Sequence, residues 1–247
     1  GSEMCIRDSY ITCEMAEEKI AERIDANLLD IPIQQLQDPL LTKQKYRAKM
    51  DVLKKKTQGK LVIKEYPTAS AHVGHFKALL NELSLKKGFH PEIIFVDYLN
   101  ICASSRYKGT IVNSYTYVKA IAEELRGLAG EYNVPILSAT QTTRSGYGNS
   151  NVEITDTSES FGLPATADLM FALISTEDME ELNQIMVKQL KNRYNDPTVY
   201  KRFVLGIDRQ KMRLYDCEQG AQDNIIDAGD TPKPFTDTKK SFEGFKI

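Results

Sequence analysis

Three polar residues stand where apolar runs stop. Ile93-Ile94-Phe95-Val96 leads into Asp97, Tyr10-Ile11-Thr12-Cys13 into Glu14, and the run from Val134 to Thr140 into Gln141. Short apolar runs of this kind read as strands of a parallel sheet, the Asp97 run as one buried on both faces. In an open α/β sheet the carboxyl ends of the strands face the ligand crevice. A carboxylate there is costly unless something positive compensates it, and the simplest candidate at Asp97 is Mg²⁺ carrying a nucleotide. Together the three residue types fit nucleotide hydrolysis: a base for water at Glu14, a metal anchor at Asp97 and an amide at Gln141 to sense a γ-phosphate. Each also has a plain structural reading. Asp97 could cap a turn, Glu14 could be a first-turn acid favoured by a helix dipole, and Gln141 could be a turn residue.

A second cluster is basic. Ile185 to Arg193 reads as a strand ending in Lys191-Asn192-Arg193, and Lys191 and Arg193, two apart, point the same way. Arg106 and Lys108 fall in a loop over 100–110, and Arg144 lies in a Gly-, Ser-, Asn- and Thr-rich stretch over 142–154. His72 and His75 are three apart but have no nearby cysteine or acid, so they read as surface histidines rather than a metal pair. Lys54-Lys55-Lys56 reads as the solvated end of a charged helix.

The elements that must position these residues follow from periodicity. Helices are predicted over about 16–29, 42–56, 71–87 and 114–132, with a loop around Pro32 and Pro39, while 156–168 mixes small residues with Gly162 and Pro164. Strands alternate with helices as far as Tyr132, which predicts an α/β fold with a mostly parallel sheet flanked by helices. Strands over 169–174, 185–193, 202–207 and 211–215 extend it in antiparallel fashion. Residues 1–9 have neither helical nor strand period and read as a leader outside the fold, leaving a core over 10–217. The polar segment 218–247 reads as a flexible tail with Phe235, Phe242 and Phe245 as docking anchors. The 247 residues carry a formal net charge of -2, so any nucleic-acid contact is local rather than a property of the whole surface. Four cysteines form no CxxC pair and read as reduced thiols, and no run reaches transmembrane length.

The segments Tyr10 to Ala16, Ile94 to Leu99, Ser138 to Gln141 and Lys191 to Arg193 occur in an order that resembles the hexameric replicative helicases of the DnaB type, T-even phage members included. Ala120 to Arg126 and Gly162 to Asp168 add to the resemblance. It implies a RecA-like core. Glu14 would polarise the attacking water, Asp97 would hold Mg²⁺ through water, and Gln141 would link the γ-phosphate of ATP to the DNA loops. Lys191 and Arg193 would reach a neighbouring subunit's nucleotide as an arginine finger, a role that needs a homo-hexameric ring. Arg106, Lys108 and Arg144, with Ser160 and Gly162 in the segment 156–162, would contact single-stranded DNA through its phosphates. Primase and a helicase loader are implied partners, with no membrane, in the bacterial cytoplasm, and with 5′-to-3′ polarity. One departure stands out: the sequence contains no GxxxxGK(S/T). The first strand and its phosphate-cradling loop are thus missing, so the chain reads as a carboxyl-terminal fragment that should not hydrolyse ATP alone. A recombinase-type ATPase and a non-catalytic binding module on the same fold are the alternatives.

Overall fold

Alternation of apolar and polar residues builds a sheet first. The protein is described by a computed structural model over residues 7–36, 43–56, 59–107, 112–142, 152–154, 162–196 and 199–218. In chain order come β1 (Arg7–Thr12), α1 (Glu17–Leu29), α2 (Ile33–Leu36), α3 (Lys43–Lys56), β2 (Lys60–Glu65), α4 (Val73–Lys87) and β3 (Ile93–Asp97). Then follow a 3₁₀ turn (Leu99–Ile101), α5 (Ser114–Tyr132), β4 (Ile136–Ser138), α6 (Gly162–Thr166), β5 (Leu169–Ile174), α7 (Glu177–Glu181), β6 (Gln184–Asn192), β7 (Arg202–Asp208) and β8 (Arg213–Asp216).

The first four strands form a parallel sheet in the order β2-β1-β3-β4. Ile94 and Val96 point from β3 into a core built with Phe76 and Leu80 of α4 and Ile121, Leu125 and Leu128 of α5. The other face of β3 is only half-buried, against the expectation of burial on both faces: Ile93, Phe95 and Asp97 retain partial exposure, and Phe95 stacks on Tyr10. Both long helices over this core end in left-handed residues, Gly88 after α4 and Asn133 after α5.

The remaining strands form a separate antiparallel sheet, β5-β6-β7-β8, with a register shift at Met170/Phe171. Ala172, Ile174 and Met186 bury one face together with Val152, while Leu169, Phe171 and Leu173 leave the edge strand's other face exposed. The short helix α6 joins the halves: Leu163 enters the first core, and Met170, just beyond it, packs against that core too.

Several boundaries differ from expectation. β1 begins at Arg7, so Arg7–Ser9 belong to the sheet rather than to a leader, because the Arg7 amide and guanidinium are held by Glu92 beside β3. Gly162–Thr166 is helical inside a stretch to which the sequence assigned no element, and Ile33–Leu36 makes one helical turn between Pro32 and Pro39. The strand read over 134–141 pairs only over Ile136–Ser138. The tail beyond Glu218 lies outside the described residues. His72 and His75 are more than surface residues: they cap α4. His72 Nδ1 accepts from the Gly74 amide at 3.0 Å, and His75 Nδ1 accepts from the His72 amide at 3.2 Å. A Cβ at residue 74 would meet the His72 ring at 2.7 Å, which is why glycine stands there.

Candidate active site

The carboxyl ends of β1, β3 and β4 lie side by side. Thr12 is the register partner of Asp97, and Val96 that of Ser138. Backbone hydrogen bonds continue past the strands. The Cys13 amide donates to the Asp97 carbonyl at 2.8 Å, and the Leu99 amide donates to the Ala139 carbonyl at 3.3 Å. Glu14 follows Cys13 and Gln141 follows Ala139 by two residues, so one sheet edge presents all three expected site residues.

Side chains fix the details. The buried Thr12 hydroxyl donates to the Met15 carbonyl at 2.9 Å and accepts from the Met15 amide at 3.0 Å, closing the turn that carries the exposed Glu14. Thr68 donates its hydroxyl to the Cys13 carbonyl at 2.8 Å. Asp97 Oδ2 accepts from the Tyr10 hydroxyl at 2.8 Å. Burial first, and then the Asp97 carboxylate, hold the Tyr10 phenol above its usual range, so it stays a donor. Gln141 Nε2 donates to the Tyr98 hydroxyl at 3.1 Å. The peptide bond between Asp97 and Tyr98 is cis.

Mg²⁺ fits this arrangement. Asp97 Oδ1 has no hydrogen-bond partner among the described residues, while its other oxygen is oriented by Tyr10. No group of three or more His, Cys, Asp or Glu side chains able to hold a metal occurs among the described residues. A single carboxylate completed by waters and substrate phosphates is the ordinary protein contribution to a nucleotide-bound Mg²⁺.

The basic pair stands elsewhere. Lys191 Nζ donates to the Pro164 carbonyl at 2.6 Å, and Arg193 donates to the Ala165 carbonyl at 3.3 Å, both at the carboxyl end of α6. Arg193 also pairs with Asp168 at 2.5 Å, and Arg126 of α5 takes the other Asp168 oxygen at 2.8 Å. Burial raises the Asp168 carboxyl, but Arg126 and Arg193 outweigh it and leave its pKa lowered. Burial and the Arg193 charge lower that of Lys191. Lys191 and Arg193 thus do point the same way, but toward α6 of their own chain rather than outward.

Of the expected DNA contacts, Arg106 pairs with Glu123 of α5 at 2.5 Å. Gly162 is buried under Lys119, where a Cβ would meet the lysine Cδ at 2.9 Å. Lys108, Arg144 and Ser160 lie outside the described residues. Sequence reading missed Glu124, which is 8% exposed and holds the segment 104–106. Its carboxylate accepts from Ser104 Oγ at 2.6 Å, from Ser105 N at 2.9 Å and Ser105 Oγ at 2.8 Å, and from Arg106 N at 3.3 Å. Burial raises this carboxyl and the four donors outweigh it, for a net lowering. No local signal in the sequence marks the contact, because its partners lie about twenty residues earlier in the chain.

The architecture is that of a RecA-like ATPase domain. A solved structure described as a DnaB-like replicative helicase and its interactions with primase superposes with a TM-score of 0.68 at 16% identity, covering 86% of this chain and 51% of that one. A second solved structure, of an ATPase domain on its own, superposes with a TM-score of 0.69 at 17% identity, covering 86% of this chain and 75% of that one. Residues 4–202 match the DnaB-like helicase C-terminal domain, and the chain belongs to that family. The chain is 45% identical to the DnaB-like replicative helicase of Enterobacteria phage T4 over 211 residues, 85% of this chain and 44% of that protein. A probable plasmid replicative DNA helicase of Chlamydia trachomatis is 29% identical over 140 residues, 56% of this chain and 29% of that protein. The chain therefore spans less than half the length of these relatives. No described helix is long and apolar enough to cross a membrane.

Proposed function

We propose that this chain is the carboxyl-terminal ATPase core of a replicative DNA helicase, which couples ATP hydrolysis to movement along single-stranded DNA and duplex unwinding. The observation that carries this reading is the backbone stitching of β1, β3 and β4, which gathers Glu14, Asp97 and Gln141 at one sheet edge in a family of helicase domains. Asp97 would hold Mg²⁺, which when bound would supply positive charge against the negative charge that develops on the phosphates. Glu14, exposed on its Thr12-closed turn, orients a water and accepts its proton. Gln141, aimed by Tyr98, reads the terminal phosphate and passes its state toward the DNA loops. Lys191 and Arg193 serve the nucleotide of a neighbouring subunit in a hexamer, as an arginine finger in trans. Arg106, Lys108, Arg144, Ser160 and Gly162 belong to the elements that hold single-stranded DNA by its backbone, without base readout. Primase and a loader are the partners of the assembled protein, in the cytoplasm of a bacterial cell.

The test supplies a phosphate-cradling segment from a relative. The amino-terminal part of the phage T4 relative, placed ahead of this chain, should give a protein with ATPase activity stimulated by single-stranded DNA and able to open a forked duplex. In that protein Asp97→Asn or Glu14→Gln should lower kcat at least about a hundredfold. Undiminished turnover in either variant overturns the assignment. Arg193→Ala should lose activity alone and depress it when mixed into wild-type rings, the signature of a residue acting across subunits.

A further inference from the structure

α3 differs in kind from every other described helix. Lys43–Lys56 carries seven basic residues against one acid, Asp51, a net of +6 in a chain of net charge -2. It packs through one stripe only: Tyr46, Met50 and Leu53 are half-buried, and no residue of the helix with a described side chain is fully buried. The Tyr46 hydroxyl tethers it to α1, donating to Asp25 at 2.5 Å. Burial, then that carboxylate, push the Tyr46 phenol up to about 12.

Elsewhere many surface cations are matched, although single exposed ones such as Lys60, Lys201 and Arg209 have no ion pair among the described residues, and none of them is grouped as those on α3 are. Lys19 pairs with Glu22, Lys64 with Glu17, Lys86 with Glu82, Arg106 with Glu123, and Lys211 with Asp30. On α3, Arg47, Lys49, Lys54 and Lys55 have no carboxylate within ion-pair distance among the described residues, although Asp51 lies one turn from Arg47 and from Lys55. Arg47 and Lys54, seven residues apart, share one flank of the helix about two turns from each other. Lys49 stands on the opposite flank, and Lys55 points directly away from the packed stripe. Lys54 and Lys55 gain from the helix dipole, but Arg47 and Lys49 sit mid-helix, where like charges at helical spacing repel one another. A helix that keeps such crowding without burial or pairing is built to meet an anion.

We infer that the solvent-facing arc of α3, through Arg47, Lys49, Lys54 and Lys55, binds the phosphate backbone of nucleic acid at a site separate from the crevice beside Asp97. The separation follows from the topology. α3 leads into β2 at its amino end, where Lys60 is the register partner of Arg7, so Lys54 and Lys55 lie toward the sheet end opposite Glu14 and Asp97. The chemistry of the arc selects the partner. Its only large apolar side chain is Val52, so it has nothing to seat in a bilayer. It carries no aromatic anchor of the sort that centres a protein interface. Repeated point charges on flexible stems suit a polyphosphate read without sequence preference.

The experiment uses the whole chain and a fluorescein-labelled oligothymidylate, with binding followed by anisotropy across a series of salt concentrations. The combined variant Arg47→Gln, Lys49→Gln, Lys54→Gln and Lys55→Gln keeps helix propensity, and circular dichroism confirms that it folds. It should bind at least about tenfold more weakly at low salt, and its plot of log affinity against log salt should be shallower by about 2–3. The companion variant with the three lysines changed to arginine should bind as the wild type does. Arg106→Gln should leave the salt-slope difference between wild type and the glutamine variant intact. Four outcomes overturn the inference: no salt-sensitive binding by the wild-type chain, equal slopes for wild type and the glutamine variant, loss of binding in the arginine variant, or a polyglutamate chain displacing the oligonucleotide at equal charge concentration.

Discussion

The two sheets use polar side chains in opposite ways. In the parallel sheet they stand at the strand ends and are tied by backbone bonds and single hydroxyls, so Glu14 and Gln141 stay exposed and one oxygen of Asp97 stays unengaged. In the antiparallel sheet the charged groups at the end of β6 rest on α6 and Asp168 of their own chain. The apolar side chains are reversed as well. Ile94 and Phe76 are sealed at 0% exposure, whereas Phe171 and Leu173 of β5 are 46% and 65% exposed. The parallel half thus holds the stability and leaves its chemistry open, while the antiparallel half holds its charges and leaves apolar surface open.

That contrast can be broken or sharpened by substitution. Phe76→Ala should cost about 3–5 kcal/mol in chemical denaturation, since it empties the centre of the parallel half. Glu124→Ala should cost about 2–3 kcal/mol, because it strands buried donors of Ser104, Ser105 and Arg106, and hydrogen exchange should rise first at those amides. Acid should act through the same carboxylates. Glu124 and Asp168 have lowered pKa values in the folded chain, so their contribution is present above the ordinary carboxylate range and is lost as pH falls through those lowered values. The urea midpoint of the wild type should therefore fall more on acidification than that of a Glu124→Gln, Asp168→Asn double variant. Asp168→Asn alone, a partly exposed pair of bridges, should cost about 0.5–1 kcal/mol in the same denaturation assay. Phe171→Ser on the open face should shift stability by no more than about 0.5 kcal/mol, and a larger loss would show that this face is covered.

The legible parts of the molecule were those with local causes. The helix over Ser114–Tyr132 and the strand over Leu169–Ile174 stand where periodicity placed them, because apolar spacing and flanking turn residues act within a few positions. The strand-end positions of Glu14, Asp97 and Gln141 were readable for the same reason. What escaped depends on distant partners. Arg7–Ser9 looked structureless because their partners are distant: β2 and β3 pair with them on either side, and Glu92 holds Arg7. α6 contains Gly162 and Pro164 within five residues, and its last turn is held by Lys191, Arg193 and Arg126 from two other elements. Glu124 carries no signal within one helical turn that it faces inward to Ser104 and Ser105, twenty residues back along the chain.

The start of α4 has a consequence of its own. Asn113 and Thr176 begin their helices with oxygen acceptors, whereas His72 and His75 both use ring nitrogens that can accept only while they lack a proton. The two imidazoles stand 4.1 Å apart between ring centroids, so the two caps lean on each other and neither ring can be altered alone. Removing either ring nitrogen, by His72→Phe or His75→Phe, should therefore unfasten this one helix end while the oxygen-capped ends hold, making it the first place where the core that backs Asp97 loosens.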